Sequence, residues 1–126
     1  EIVEAFKNNK DFIKIWGTGK PLRELIFSDD IADACIYFLK KKTNHSLINV
    51  GTGVEKSINE YAKFIMSHLG ISLKIKNIGL QPDGTYRKLI DSSLAKKYGW
   101  IHKTSLNKGI SITVNDFLKR QVFSSK

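Results

Sequence analysis

Residues 47–70 read LINVGTGVEKSINEYAKFIMSHLG, and the order of signals in this stretch decides the fold class. The apolar run Leu47–Val50 predicts a short buried strand, and the glycines at 51 and 53 predict a turn after it. Ser57 and Glu60 have the spacing of a capping box, which predicts that a helix begins there. A strand, a glycine turn and a capped helix in succession indicate an α/β architecture.

The alternation of strands and helices continues on both sides of that stretch. Alternating apolar residues predict further strands at 12–16, 24–27 and 73–76, and a short helix is expected between Asp91 and Gly99. A last helix is expected from Thr104 or Ser105. Strands so few and short predict a small sheet carrying amphipathic helices, with one side that something else must cover.

Residues 28–42 give the clearest helical pattern. Ser28 is expected to cap this helix, while Asp29 and Asp30 in its first turn and three lysines in its last turn complement the helix dipole. Residues at helical spacing predict its apolar face, which consists of Ile31, Ala34, Cys35, Phe38 and Leu39. Because Cys35 falls on that face, we expect it to be buried and chemically inert.

Composition limits the classes of protein to consider. The 126 residues suit one domain with a real hydrophobic core, spanning 1–126. The net charge of +9 favours anionic partners, although solvated helix ends explain most of the lysines. A single cysteine excludes an internal disulfide, and no apolar run is long enough for a membrane span or a signal peptide. A cytoplasmic protein is therefore expected.

Two kinds of site are disfavoured by spacing. The turn Gly51-Thr52-Gly53 lies where a dinucleotide-binding loop would lie, but the third glycine of that motif would fall at Lys56. A plain turn is the better interpretation. The histidines at 45, 68 and 102 lack metal-ligand spacing, so no metal site is expected.

The first candidate ligand site is the loop that runs from Trp16 to Arg23. An aromatic side chain at a strand end and an arginine across a tight loop can flank a flat polar ligand that carries a diphosphate. The planar guanidinium matches two phosphate oxygens at once. The alternative is that Trp16 belongs to the core and that Arg23 pairs with Glu24 or Asp29, and the pattern leaves both open.

The second candidate is the polar turn Pro82-Asp83-Gly84-Thr85-Tyr86-Arg87-Lys88, which carries two adjacent cations. The alternative is a solvated connection between elements. Loops on rigid scaffolds are nevertheless where ligand contacts concentrate.

Four segments taken together resemble the C-terminal half of extended short-chain dehydrogenases/reductases, and among them the GDP-L-fucose synthases. The Arg-Glu-x-x-x-x-Asp-Asp and Asn-Val-Gly-Thr-Gly elements are shared across that superfamily, while the Pro-Asp-Gly-Thr-x-Arg-Lys turn is typical of the GDP-fucose branch. The matching segments occur in the family's order and are 15–24, 29–32, 48–54 and 82–91.

The resemblance implies an enzyme that converts GDP-4-keto-6-deoxy-mannose to GDP-L-fucose, by epimerisation at C3 and C5 and NADPH-dependent reduction at C4. It implies that Trp16, Arg23 and Lys88 contact the substrate and that Asp83 accepts a hydrogen bond from a ligand hydroxyl. The Rossmann half, with the NADP(H) site and the catalytic residues, would lie upstream of residue 1. Residues 1–126 alone are then expected to bind no cofactor and to be inactive. The whole enzyme is expected to be a cytoplasmic homodimer with no nucleic-acid or membrane partner.

Two alternatives remain. The nearer one is the same part of another nucleotide-sugar epimerase or dehydratase, which the identity of the bound base would separate. The remote one is a small basic nucleic-acid-binding domain, suggested only by the charge of +9. It is disfavoured because the aromatic residues fall at core positions and do not alternate with arginines on one exposed face.

Overall fold

The computed structural model describes residues 1–79 and 82–123, with side chains described as far as residue 120. Strands and helices alternate, which confirms the predicted α/β class. In chain order the elements are α1 (Ile2–Lys7), β1 (Phe12–Trp16), β2 (Leu22–Glu24), α2 (Ser28–Lys40), β3 (Glu55–Ser57), α3 (Ile58–Leu69), β4 (Lys74–Ile78), α4 (Ser93–Lys97) and α5 (Leu106–Phe123).

The strands of the described residues form two pairs. β1 lies parallel to β4, with Ile13 opposite Ile75, and β2 lies antiparallel to β3, with Arg23 opposite Lys56. The prediction of a strand at 47–50 is wrong, because that segment pairs with no other strand among the described residues. The strand predicted at 24–27 lies earlier, since Leu22 to Glu24 are the residues that pair with β3.

The capping box at the start of α3 is confirmed. The Glu60 amide donates to Ser57 Oγ at 3.2 Å, and the Ser57 amide donates to Glu60 Oε2 at 2.8 Å. At the other end Gly70 adopts φ 65°, a left-handed conformation that suits glycine and ends the helix. Both ends of α3 are therefore set by residues close in sequence.

The start of α2 differs from the prediction. Phe27, not Ser28, is the N-cap residue, and its carbonyl accepts from the Asp30 amide at 3.1 Å. Ser28 is the first helical residue, so its side chain is not placed to cap the helix. Ser92 is the N-cap residue of α4, but the Asp91 side chain still caps the start of this helix, because its Oδ1 accepts from the Ser93 amide at 2.9 Å.

The buried face of α2 is also turned from the predicted one. Ala34 is buried and Phe38 half-buried, but Cys35 is exposed and Leu39 is 86% exposed. The prediction of a buried Cys35 is therefore wrong. The reason is that α2 packs toward the 95–100 segment through Ala34 and Tyr37, whose hydroxyl donates to the Tyr98 carbonyl at 2.7 Å.

Two small clusters form the core. One joins α1, β1 and α3 through Ala5, Ile13, Ala62 and Met66. The other joins α2 to the chain around α4 through Ala34, Ala95 and Trp100. Beside the second cluster, buried Asp30 accepts from the amides of Lys103 at 3.0 Å and Thr104 at 3.1 Å.

An apolar groove of about 990 Å³ lies between β1, α3 and α5. Its walls include Ile15, Ile65, Leu69, Ile110, Val114 and Phe117. The structure thus has an incompletely covered apolar side, as so small a sheet would leave.

Candidate ligand-binding site

The loop after β1 has a backbone that only glycine adopts easily. Gly17 and Gly19 have φ of 68° and 67°. A side chain at Gly17 would overlap Asp83 Oδ1, and one at Gly19 would overlap Asn59 Oδ1. The loop therefore needs both glycines, for its own conformation and for the close approach of two other segments.

Asp83 joins this loop to the second candidate loop. Its Oδ1 accepts from the Thr18 amide at 2.8 Å, and its Oδ2 accepts from the Thr18 hydroxyl at 2.5 Å. These hydrogen bonds, the hydroxyl first and then the amide, hold the pKa of Asp83 below its usual value. The two loops that were selected separately in the sequence therefore form one surface.

Trp16 lies at the edge of that surface, one residue before Gly17. Its side chain is 77% exposed, so the interpretation of Trp16 as a core residue is wrong. An exposed indole beside a polar loop offers a flat apolar face to a ligand ring.

Arg23 reaches the second loop from the other side. Its Nη1 donates to the Leu22 carbonyl at 2.6 Å and to the Thr85 carbonyl at 2.9 Å. Among the described residues it forms no ion pair with Glu24 or Asp29, which were the acidic partners considered for it. Arg23 as a residue is half-buried, and its Nη2 lies near Gly84.

The adjacent cations Arg87 and Lys88 differ in their surroundings. Arg87 Nε donates to Glu55 Oε1 at 2.7 Å, while Lys88 is exposed. The Leu22 amide donates to the Tyr86 carbonyl at 2.7 Å, and Leu22 forms a parallel bridge with Arg87. The chain that carries Lys88 therefore runs beside β2, which carries Arg23.

Glu24, the next residue of β2, has a structural role that its sequence pattern did not indicate. Its Oε1 accepts from the amides of Thr52 and Gly53 and from the Thr52 hydroxyl, and its Oε2 accepts from the Ile90 amide at 3.2 Å. Burial raises the pKa of this carboxyl. The hydrogen bonds from Gly53, Ile90 and Thr52 together outweigh that effect, so the pKa lies below its usual value. The available signal was the Arg-Glu pair at 23–24, which belongs to one of the elements that carry the family resemblance.

The second Gly-Thr-Gly turn is accordingly not an open phosphate cradle. Its amides point at the Glu24 carboxylate, which already occupies the place of an anion. The interpretation of this turn as a structural one agrees with that geometry.

Beside Glu24's partners lies a cavity of about 510 Å³, bounded by Gly53, Arg87, Ile90, Asp91, Ser93 and Lys96 among others. Within residues 1–79 and 82–123 no three His, Cys, Asp or Glu side chains gather as metal ligands would. Over the same residues none of the helices has the length and apolarity of a membrane span.

The family model that matches describes the NAD dependent epimerase/dehydratase family and covers residues 1–51. GDP-L-fucose synthase 1 of Arabidopsis thaliana is 40% identical over 116 residues, which is 92% of this chain and 36% of that protein. This chain is similar to the C-terminal part of GDP-L-fucose synthases. The predicted resemblance is thereby confirmed over nearly the whole chain.

Two solved structures from Campylobacter jejuni extend the likeness. A GDP-6-OMe-4-keto-L-xylo-heptose reductase has a TM-score of 0.80 and 34% identity, covering 93% of this chain and 38% of that one. A GDP-mannoheptose C4 reductase with NADP bound has a TM-score of 0.74 and 30% identity, covering 93% and 40%. The chain thus spans well under half the length of the proteins it matches.

Proposed function

We propose that residues 1–126 form the sugar-nucleotide-binding part of a GDP-L-fucose synthase, and that the complete protein converts GDP-4-keto-6-deoxy-mannose to GDP-L-fucose. The observation that carries the proposal is the joining of the two candidate loops by Asp83 and Arg23, with exposed Trp16 at their edge. The 40% identity to a GDP-L-fucose synthase supports the assignment of this surface to a GDP-sugar. The complete protein is further proposed to be a cytoplasmic homodimer.

The proposed roles follow from the chemistry of each side chain. Arg23 and Lys88 offset the charge of the diphosphate, with Arg23 offering a planar fork. Trp16 packs against the base or the sugar. Asp83 holds the two loops together through Thr18, and its remaining lone pairs can accept from a ligand hydroxyl.

The cofactor of the proposed reaction is NADP(H), which supplies the hydride for the reduction at C4. The described residues of this chain do not fit it. Both Gly-Thr-Gly turns hold carboxylates of this chain at the amides that a pyrophosphate would use. The proposed function therefore assigns the cofactor and the catalytic groups to another part of the complete protein.

The two heptose reductases favour a second candidate within the same class. Their GDP-sugars share the GDP moiety with the substrate of a fucose synthase but carry heptoses. We therefore keep reduction of another 4-keto GDP-sugar as the alternative. Turnover of the complete protein with GDP-4-keto-6-deoxy-mannose separates the two.

The experiment is calorimetric titration of the complete protein with GDP, UDP and dTDP. GDP should bind most tightly.

The variants test the residues of the surface. Arg23→Lys keeps the charge but loses the planar guanidinium, which can bind two phosphate oxygens. Losing a charge-assisted hydrogen bond of about 1.5–3 kcal/mol predicts an affinity lower by about tenfold to a hundredfold. Lys88→Ala should also weaken binding. Arg120→Lys is the control, because Arg120 pairs with Asp116 on the exposed surface of α5. Unchanged affinity in both Arg23→Lys and Lys88→Ala would remove this surface from the binding site.

The chain alone gives a separate test. Residues 1–126 alone should not oxidise NADPH with GDP-4-keto-6-deoxy-mannose. Turnover by the purified chain would contradict the assignment of the cofactor and the catalytic groups to another part of the complete protein.

A further inference from the structure

Glu24 draws together three separate pieces of chain. It belongs to β2, its Oε1 accepts from the turn at 51–53, and its Oε2 accepts from the Ile90 amide. The sequence separation from Glu24 to Ile90 is 66 residues, so this contact is a property of the tertiary fold. A single carboxylate therefore fixes two distant segments against one strand.

Arg23 and Glu24 hold the same neighbouring segment at two points. Arg23 Nη1 donates to the Thr85 carbonyl at 2.9 Å, and Glu24 Oε2 accepts from the Ile90 amide at 3.2 Å. Lys88 lies between these two attachments. Because Lys88 is exposed, the backbone on either side sets the point from which its flexible side chain reaches a ligand.

The hydrogen bonds that Glu24 accepts are of a kind that holds two segments firmly together. Glu24 stays ionised because the donors around it lower the pKa of its carboxyl, and an ionised acceptor makes stronger hydrogen bonds than a neutral one. It accepts from two consecutive amides and a hydroxyl on one oxygen, an arrangement that proteins use for bound anions. An amide side chain of the same shape would bring an N–H group against these donors.

We propose that Glu24 is a positioning residue for ligand binding, holding the 85–90 segment so that Lys88 faces the same ligand as Arg23. The proposal rests on the proposed function for its ligand. Its geometric part does not, because the attachment of Ile90 to Glu24 can be measured with no ligand present.

The first measurement is amide hydrogen exchange in the complete protein. Glu24→Gln should reduce the protection of the Gly53 and Ile90 amides. Asp30→Asn is the matched control, because Asp30 also accepts from two backbone amides but joins α2 to residues 103 and 104. Protection at Gly53 and Ile90 should be unchanged in Asp30→Asn. Unchanged protection in Glu24→Gln would overturn the proposal.

The second measurement is a double-mutant cycle on GDP affinity. Glu24→Gln should weaken GDP binding about fivefold to tenfold, and in a Lys88→Ala background the same change should have less than about a twofold effect. Independent, additive losses would overturn the positioning role, since they would mean that Glu24 does not act through Lys88. If the wild-type protein binds no GDP, the proposed function fails, while hydrogen exchange still decides whether Glu24 holds the segment.

Gly51→Ala provides a variant that keeps the charge of Glu24. An added Cβ would lie 2.7 Å from Glu24 Oε1, so the carboxylate would have to move, and the backbone of Gly51 lies outside the left-handed region. Gly51→Ala should reduce the protection of the Ile90 amide and the affinity for GDP, each by less than Glu24→Gln does. Its effects should likewise disappear in the Lys88→Ala background.

Discussion

The tripeptide Gly-Thr-Gly occurs twice in this chain, and in both copies the threonine amide and hydroxyl donate to a carboxylate. At 17–19 the Thr18 amide and hydroxyl donate to Asp83, and at 51–53 the Thr52 amide and hydroxyl donate to Glu24. A turn of this composition is commonly considered for phosphate binding. In this fold each copy is closed by an acidic side chain of its own chain.

The two turns differ in how they depend on glycine and on burial. The first has left-handed backbone at both glycines, while the second has it only at Gly53. Asp83 lies on the exposed surface, whereas Glu24 is half-buried and receives a further amide from Ile90. The first turn therefore depends mainly on the conformation of its two glycines, and the second depends mainly on its hydrogen bonds to the Glu24 carboxylate.

The largest effect on the free energy of unfolding is expected from replacing glycines of the turns by alanine. Gly19→Ala combines left-handed backbone with overlap on Asn59, and should reduce the free energy of unfolding by about 2–5 kcal/mol. Gly53→Ala has the same kind of backbone but open space, with its nearest neighbour 3.8 Å away, so about 1 kcal/mol is expected. Denaturant unfolding measures both. Equal losses would mean that the two turns do not differ in packing.

A smaller effect is expected from removing each threonine hydroxyl. Thr52→Val should reduce the free energy of unfolding by about 1–2 kcal/mol, because its hydroxyl donates to a half-buried carboxylate at 2.9 Å. Thr18→Val should cost less, since water can replace its hydroxyl beside exposed Asp83. A larger loss in Thr18→Val, measured by thermal unfolding, would reverse the comparison.

The first turn is also anchored to α3, which gives a third test. The Asn59 side chain donates to the Thr18 carbonyl at 3.2 Å, so Asn59→Ala should cost about 0.5–1.5 kcal/mol. Hydrogen exchange should show a loss of protection at Thr18 and none at Gly53. Changes at both turns would show that they are coupled through α3.

The pH dependence of stability should show the smallest difference between the turns. The pKa values of Glu24 and Asp83 are both lowered on folding, from ordinary values of 4.5 and 3.8. Each carboxylate therefore contributes stability above its unfolded pKa, and that stability is lost as the pH falls through its folded pKa. Glu24→Gln should make the loss of stability below pH 4.5 shallower, and Asp83→Asn should do so starting near pH 3.8. Thermal unfolding midpoints measured against pH would test this, and slopes identical to wild type would contradict it.

Sequence by itself determined the features that depend on residues close together in the chain. Ser57, Glu60 and Gly70 set the two ends of α3 through contacts three or four residues apart, and the alternation at 12–16 marked β1. The two candidate loops were also recognisable from their composition. In each case the interacting groups, or the residue types that matter, lie within one short window.

Tertiary structure alone decided which distant groups met. It moved the predicted strand from 24–27 to Leu22–Glu24, left 47–50 without a place in a strand, and turned Cys35 outward. It also paired Thr18 with Asp83 across 65 residues and Glu24 with Ile90 across 66. Periodicity shows that a helix has an apolar face but not how far that face is rotated in the packed protein. A carboxylate likewise finds its donors only when separate segments are brought together, because the amides that bind it belong to backbone whose position no local pattern encodes.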